Sequence, residues 1–412
     1  MQRVVVTGLG LLTPLGNDVP TTWDGLIAGR SGIDHITSFD TSEYEYPIAG
    51  ELKDFEPEEI VDRKMLRRMD RSSVLALAAA RQAVADACID LADEEPGEVG
   101  VVIGTGIGGG HLMIENQQLL EEKGARRVSP FLITQMLPDT ATGLIAIELG
   151  ARGPNMAISA ACATGAAAVG EAAEMVARGE AQVVVTGGFE APVRPIFFAG
   201  FQAMRALAQH DDPQKAARPF DLERNGFVVA EGAAVMVMES LEHAQVRGAH
   251  IYGEWHGSAS SNDALDMVAA AEDGRGIDIA IRKALRRAEL GTGDIAYINA
   301  HGPGTLLGDR VEAQAIRKVF GEDADGLMVS STKSMIGHMM GASGAVEAMV
   351  ALLACQRGIV PPTINYERPD PDCDIDCVPN EAREADIRYA MSTSVGLGGH
   401  NSAIVFGRWE GE

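Results

Sequence analysis

The sequence predicts an α/β fold with layered sheets, and three observations carry that expectation. Short β-branched runs recur and close on glycine: RVVVTGLG (3–10), VGVVIGTGIGGG (99–110), AQVVVTGG (181–188) and AYINAHG (296–302). Continuous apolar runs of that length suit strands covered on both faces. Between them lie alanine-rich stretches with helical spacing, such as SVLALAAARQAVADACIDLA and TGAAAVGEAAEMVARG, and strands alternating with helices imply an α/β architecture. Finally, 47 glycines and an aromatic content of only 5% give helices small faces that can lie close to a sheet or to one another. The run-to-glycine pattern occurs in both halves, which points to a duplicated α/β unit with an N-terminal half over 1–250 and a C-terminal half over 251–412.

At 412 residues, 46% hydrophobic and 23% charged, the chain has ordinary globular composition and ample material for a core. Its 34 Lys+Arg against 59 Asp+Glu give a formal net charge of −25. That excludes a surface that binds nucleic acid or anionic membrane as a whole, because phosphate binding needs a positive field. Contact with an acidic partner would need a local basic island. No stretch reaches the apolar length of a membrane helix. The opening MQRVVVTGLGLLTPLG reads as a strand and turn and not as a signal peptide, so a cytoplasmic location is expected. Cys88, Cys162, Cys355, Cys373 and Cys377 form no CxxC pair, so neither a disulfide framework nor a metal site is expected.

The richest segment is GPNMAISAACATGAAAVGEAAEMVARG (153–179). A strand over 155–160 runs into Cys162, and a helix is expected to open at 163–165. A cysteine at a helix N-terminus faces unpaired N–H groups and the positive end of the macrodipole, which favour the thiolate and could hold an oxyanion. A free cysteine is also a common small buried hydrophobe, and this segment alone leaves both readings open. His301 in YINAHGPGTLLGD and His338 in SSTKSMIGHMMGASGAVEA each stand beside glycine in an expected strand-to-loop setting. Lys333 lies five positions before His338, and SVGLGGHN (394–401) adds backbone donors at a glycine-rich strand end.

With those residues in place the chain resembles a β-ketoacyl-[acyl-carrier-protein] synthase of the type II, FabF-like condensing-enzyme family. The stretches that carry the resemblance are DRKMLRRMDR, GTGIGG, ACATG, ARPFDLERNGFVVAEGA, NAHGPGT, STKSMIGH and GLGGHN, in that order along almost the whole chain. The resemblance implies a thiolase-like five-layered αβαβα fold built from two duplicated halves. It also implies a dimer through an interface beside the nucleophile strand, either a homodimer or a heterodimer with a chain-length-factor homologue. No cofactor is implied, since the substrates travel on the phosphopantetheine arm of acyl carrier protein.

Carried over residue by residue, the resemblance implies that Cys162 accepts an acyl chain and that His301 and His338 stabilise the enolate formed when malonyl-carrier protein loses CO2. Lys333 would orient His338, with Glu347 as a structural neighbour; Lys333 pairing with Glu347 alone is the plainer alternative. The backbone N–H groups of Cys162 and Leu397 would form the oxyanion hole. Ile107, Phe201, Thr305, Val395 and Leu397 would line the substrate path, although the first three could equally be plain core or loop residues. Lys64, Arg67 and Arg68, expected on adjacent turns of a helix, together with Arg126, Arg127 and Arg205, would dock the acidic carrier protein. A charge run is otherwise a solvated face.

The chain departs from the family pattern at the gate. Val395 and Leu397 stand where the family has phenylalanines, Pro303 replaces a threonine that contacts pantetheine, His400 replaces a second threonine, and Ala160 stands where the family has a threonine ahead of the nucleophile. These changes favour condensation in a specialised polyketide or polyene pathway, the alternative being a housekeeping fatty-acid elongation synthase with a tolerant gate. A thiolase would carry a second cysteine where this chain has His338. A non-catalytic partner subunit would lack the retained Cys162, His301, Lys333 and His338.

Overall fold

The structure, a computed structural model, describes residues 1–411. Ten strands form one hydrogen-bonded sheet: β1 (Val4–Leu12), β2 (Val99–Gly104), β3 (Asn155–Ile158), β4 (Val183–Glu190), β5 (Gly232–Ser240), β6 (Gly253–Asn262), β7 (Ile295–Asn299), β8 (Met328–Ser330), β9 (Tyr389–Gly396) and β10 (His400–Gly407). Their order is β3-β2-β4-β5-β1-β6-β10-β9-β7-β8. Read outward from the middle, each half repeats one pattern. β3, β2 and β4 pair in parallel while β5 and β1 are antiparallel additions, and β8, β7 and β9 pair in parallel while β10 and β6 are antiparallel additions. Within this sheet the halves are joined where Val4, Val5 and Val6 of β1 face Trp255, Glu254 and Gly253 of β6.

Five helices complete the layers: α1 (Arg71–Asp86), α2 (Thr164–Arg178), α3 (Arg275–Ala288), α4 (Leu306–Phe320) and α5 (Ser343–Arg357). Helix α1 packs on β1, β5 and β4, α3 packs on β6 and β10, and α5 touches α2 and strands of both halves. Alternate side chains of a strand serve opposite layers. Val183 and Val185 join the α1 core, and Val184 joins the central core with α2 and α5. A third core unites α3 and α4 with β7 and β9. With the two halves of the sheet counted as separate layers, the order helix, sheet, helix, sheet, helix is the thiolase-like architecture that the resemblance implied.

Burial dictates helix composition. Outer α3 is amphipathic, burying Ile277, Ala280, Ile281, Ala284 and Leu285 and exposing Arg282, Lys283, Arg286 and Arg287, as a one-sided helix must be. The central helices are more buried: α2 keeps one partly exposed stripe with Glu171, Glu174 and Arg178, and α5 has none over most of its length. Every residue of α5 from Ser343 to Cys355 is buried, and the α2–α5 contact is made of small residues. A Cβ built on Gly165 would lie 2.5 Å from the Ala345 backbone nitrogen, and one built on Gly344 would lie 2.7 Å from that of Ala166. Those backbones cannot give way, so Gly165→Ala is expected to cost about 1–3 kcal/mol as overpacking, more than the ~1 kcal/mol an alanine gains by helix propensity. The check is a lower urea midpoint with unchanged m-value.

Candidate active site

The candidate residues stand at the C-terminal ends of the parallel strands, where open α/β sheets place ligands. β3 ends at Ile158, two residues before the expected Ala160. The chain turns through Ala161, which is left-handed at φ 48°, a conformation costly for a residue with a side chain. Thr164 holds the turn by accepting the Ala160 N–H at 2.7 Å, and Ala163 caps α2. Cys162 therefore sits just ahead of the cap. His301 follows the end of β7 as expected. His338 does not follow a strand directly, because the short helix Lys333–Ile336 intervenes after β8. Cys162 lies between β3 and α2, and Lys333 and His338 lie between β8 and α5, the same place in the other half. Packing α2 against α5 sets these two connections face to face.

The imidazoles of His301 and His338 lie edge to face with ring centroids 5.2 Å apart. Both are buried. Burial first, and then the Lys333 ammonium, hold both well below the usual histidine range, so both are neutral at pH 7. Lys333 was expected to orient His338, but it serves His301 instead. Its Nζ lies 3.3 Å from His301 Nδ1 and donates to the His301 carbonyl at 2.6 Å, and it pairs with Glu347. An ammonium only donates, so His301 Nδ1 accepts and its proton resides on Nε2. Ser343 Oγ lies 2.9 Å from His338 Nδ1 and accepts the Met339 N–H. When the serine hydroxyl donates to Nδ1, the His338 proton resides on Nε2 as well. Burial raises the Glu347 carboxyl to about 7 against the opposing pull of Lys333.

A cavity of about 360 Å3 has Cys162, His301, His338, Thr305, Val395 and Leu397 on its wall, and Phe201 beside them. The Leu397 N–H faces the Cys162 sulfur, in the place the oxyanion reading assigns it. The expectation of a lowered Cys162 pKa is not met: burial pushes the thiol up to about 11, against the pull of Lys333 and the Leu397 N–H. Burial disfavours the charged thiolate. Ile107 is not on this cavity's wall; its backbone N–H is held by Glu190 at 3.2 Å.

Lys64, Arg67, Arg68, Arg126, Arg127 and Arg205 are all exposed. The helix expected to carry the first three is a single turn, Arg63–Leu66, with Arg67 at its C-cap and Arg68 beyond it. Arg68 lies over the Phe131 ring at 5.0 Å, and Gln135 donates to the Arg67 carbonyl at 3.1 Å. The segment after Arg126 and Arg127 thus borders the first island. Sequence reasoning missed Ser343, Glu312, Phe227 and Glu190. Glu312 accepts the His301 and Gly302 N–H groups, each at 2.8 Å, and the Thr393 hydroxyl at 2.7 Å. The Phe227 ring packs edge-on against His338 at 5.3 Å. Acidic residues at the end of a valine run or on a buried helix face were the available signal.

Residues 1–244 match the family described as "Beta-ketoacyl synthase, N-terminal domain", and residues 252–367 match its C-terminal domain. The chain belongs to the β-ketoacyl synthase family. This β-ketoacyl synthase is 49% identical over 409 residues to 3-oxoacyl-[acyl-carrier-protein] synthase 2 of Staphylococcus aureus (strain N315), covering 99% of each chain. It is an acyltransferase of that class. Among solved structures it resembles the ishigamide ketosynthase/chain length factor, with TM-score 0.93, 36% identity and 99% of each chain covered. A second likeness is to AntDE:AntF, a type II PKS acyl-carrier protein in complex with its ketosynthase bound to the hexaketide, with TM-score 0.91, 34% identity and 99% and 100% coverage. Among the described residues no helix of the synthase is long and apolar enough to cross a membrane.

The electrostatics of Cys162 in this synthase have a direct readout. Its alkylation by iodoacetamide is expected to rise with pH toward about 11. Because the Lys333 ammonium favours the thiolate, Lys333→Ala moves that rise further up in pH; a fall would contradict the assignment.

Proposed function

We propose that this synthase condenses malonyl-carrier protein with an acyl chain held on Cys162, and that it does so in a specialised polyketide or polyene pathway. The observation that supports the reaction is one cavity wall carrying Cys162, two neutral imidazoles and the Leu397 N–H. The Cys162 sulfur attacks the carrier thioester, the pantetheine thiol leaves with the proton, and the acyl chain stays on the enzyme. The carbonyl oxygen becomes negative during that attack, where the Cys162 and Leu397 N–H groups can hold it. Malonyl-carrier protein then breaks its C–CO2 bond. The electron pair passes into an enolate whose oxygen accepts from His301 and His338 Nε2–H. The enolate carbon attacks the acyl carbonyl, the C–S bond breaks, and a 3-oxoacyl chain two carbons longer leaves on carrier protein.

Neutral imidazoles suit this step because they donate without forming an ion pair with the departing carboxylate. Partner binding follows the same logic: Lys64, Arg67, Arg68, Arg126, Arg127 and Arg205 are the exposed cations that would meet an acidic carrier protein. The free edge of β3, where Met156 is 40% exposed, would carry the dimer contact, since an open strand edge is a ready pairing surface.

The pathway rests on Val395 and Leu397. These aliphatic side chains leave more room at the gate than aromatic rings would and so suit a stiff unsaturated chain. A second reading, fatty-acid elongation, is favoured by the 49% identity to the Staphylococcus aureus synthase. One set of assays tests both. Wild type decarboxylates malonyl-carrier protein, Cys162→Ala keeps decarboxylation and loses condensation, and His301→Ala loses about 10²–10³-fold in decarboxylation. A silent wild type would contradict the reaction. Faster turnover of long saturated than of polyunsaturated acyl-carrier proteins would contradict the specialised pathway and leave the elongation reading standing.

A further inference from the structure

Glu190 is the last residue of β4, wholly buried, at the end of a strand that is otherwise apolar or small. Its carboxylate gathers donors from two separate loops. From the loop after β2 it accepts the Thr105 hydroxyl at 2.7 Å and the N–H groups of Gly106 at 2.7 Å, Ile107 at 3.2 Å and Gly108 at 3.2 Å. From the loop after His338 it accepts the Gly341 N–H at 3.1 Å. Every partner is placed to donate, and these donors favour the carboxylate against the burial that pulls the group above the usual range. Oε1 serves Thr105 and Gly108, Oε2 serves Gly106 and Gly341, and Ile107 is shared between them.

The two loops bracket the nucleophile. A Cβ on Gly106 would approach the Ala161 carbonyl at 3.6 Å, and one on Gly341 would lie 2.5 Å from the Gly106 nitrogen. Met340, between His338 and Gly341, lines the cavity with a left-handed backbone at φ 43°. Such a conformation persists only where its surroundings over-determine it. Gly341 N–H to Glu190 ties that segment to the loop after β2, beside Met339 N–H to Ser343 Oγ and His338 N–H to the Val228 carbonyl. We propose that Glu190 is a positioning residue: it locks the Gly106–Gly108 loop to the Met340–Gly341 segment behind Cys162, and so fixes the separation between the acyl sulfur and His338. The proposal rests on Cys162 as the nucleophile of the condensation.

The titratable groups that act on Cys162 are Lys333 from the short helix after β8, Glu190 from β4 and Glu347 from α5, with His301 and His338 neutral. Removing the Glu190 charge therefore makes the thiolate easier to form, which a merely structural prop would not do. The experiment measures acyl transfer from acyl-carrier protein to Cys162 and the pH profile of iodoacetamide alkylation, in wild type, Glu190→Gln and Glu190→Asp. An amide can place its oxygen at Oε1, but its NH2 then opposes the Gly106 and Gly341 donors. Glu190→Gln is thus expected to slow acyl transfer by about tenfold to a hundredfold, the scale of a misplacement near 1 Å, and to move the alkylation profile to lower pH. Glu190→Asp keeps the charge and withdraws it by one methylene, so transfer slows while the profile stays near that of wild type.

Wild-type transfer in either variant would overturn the proposal, as would slowed transfer in Glu190→Gln with an unmoved profile. Should Glu190→Gln fail to fold, the aspartate variant decides by its transfer rate. Failure of both to fold would overturn the proposal by making Glu190 a folding element. No transfer in wild type would instead remove the reaction on which it rests.

Discussion

Two helices packed between the halves of the sheet can approach this closely only if the residues between them have almost no side chains. Gly165, Ala166, Gly344 and Ala345 meet this condition where α2 and α5 touch. The geometry of the site follows from that contact. Helix α2 starts just after Cys162, α5 starts just after His338, and both helices stand between the two halves of the same sheet. Bringing their N-terminal ends together carries the connection that precedes α2 against the one that precedes α5. A wider spacing, as a leucine seam would give, would draw the sulfur away from the imidazoles.

Within that frame, buried charges do the fine placement, and each is spent on backbone groups or on one partner. Glu312 holds the His301 turn, Glu190 holds the loops on either side of Cys162, and Lys333 spans His301 and Glu347. Buried carboxylates are tolerable when they collect several N–H donors. The result is a site with a single ammonium near its centre and no charged histidine. The same low-dielectric setting that keeps His301 and His338 neutral also lifts the Cys162 thiol, against the pull of Lys333 and the Leu397 N–H.

The layered α/β class was legible because apolar runs and alanine-rich stretches are local signals. The duplicated strand order emerges only from pairing, which no local pattern reports. Cys162, His301, Lys333 and His338 were legible because each sits in a distinctive glycine-rich setting. What Lys333 touches was not: a lysine five residues before a histidine suggests a local partner, whereas the fold sends its ammonium across to the His301 turn. Ser343 and Glu190 escaped for the same reason, since a serine opening a helix and a glutamate ending a strand acquire their partners only in three dimensions. Burial also reversed the expected direction for Cys162, because a sequence shows the helix that follows a cysteine and not the protein that covers it.

The −25 charge leaves the exposed arginines around Arg67 and Arg127 as an exception on an acidic surface, yet charge does not identify the reacting atom. That rests on Cys162, one of five free cysteines, of which Cys88 is exposed and the other three are buried. Peptide mass spectrometry of the protein after incubation with acyl-carrier protein separates them. The account predicts one thioester-linked acyl group, removable by hydroxylamine, on the peptide that contains Cys162 and on no other. An acyl group on Cys88, or an unmodified Cys162 peptide from enzyme that still releases free carrier protein, would contradict it.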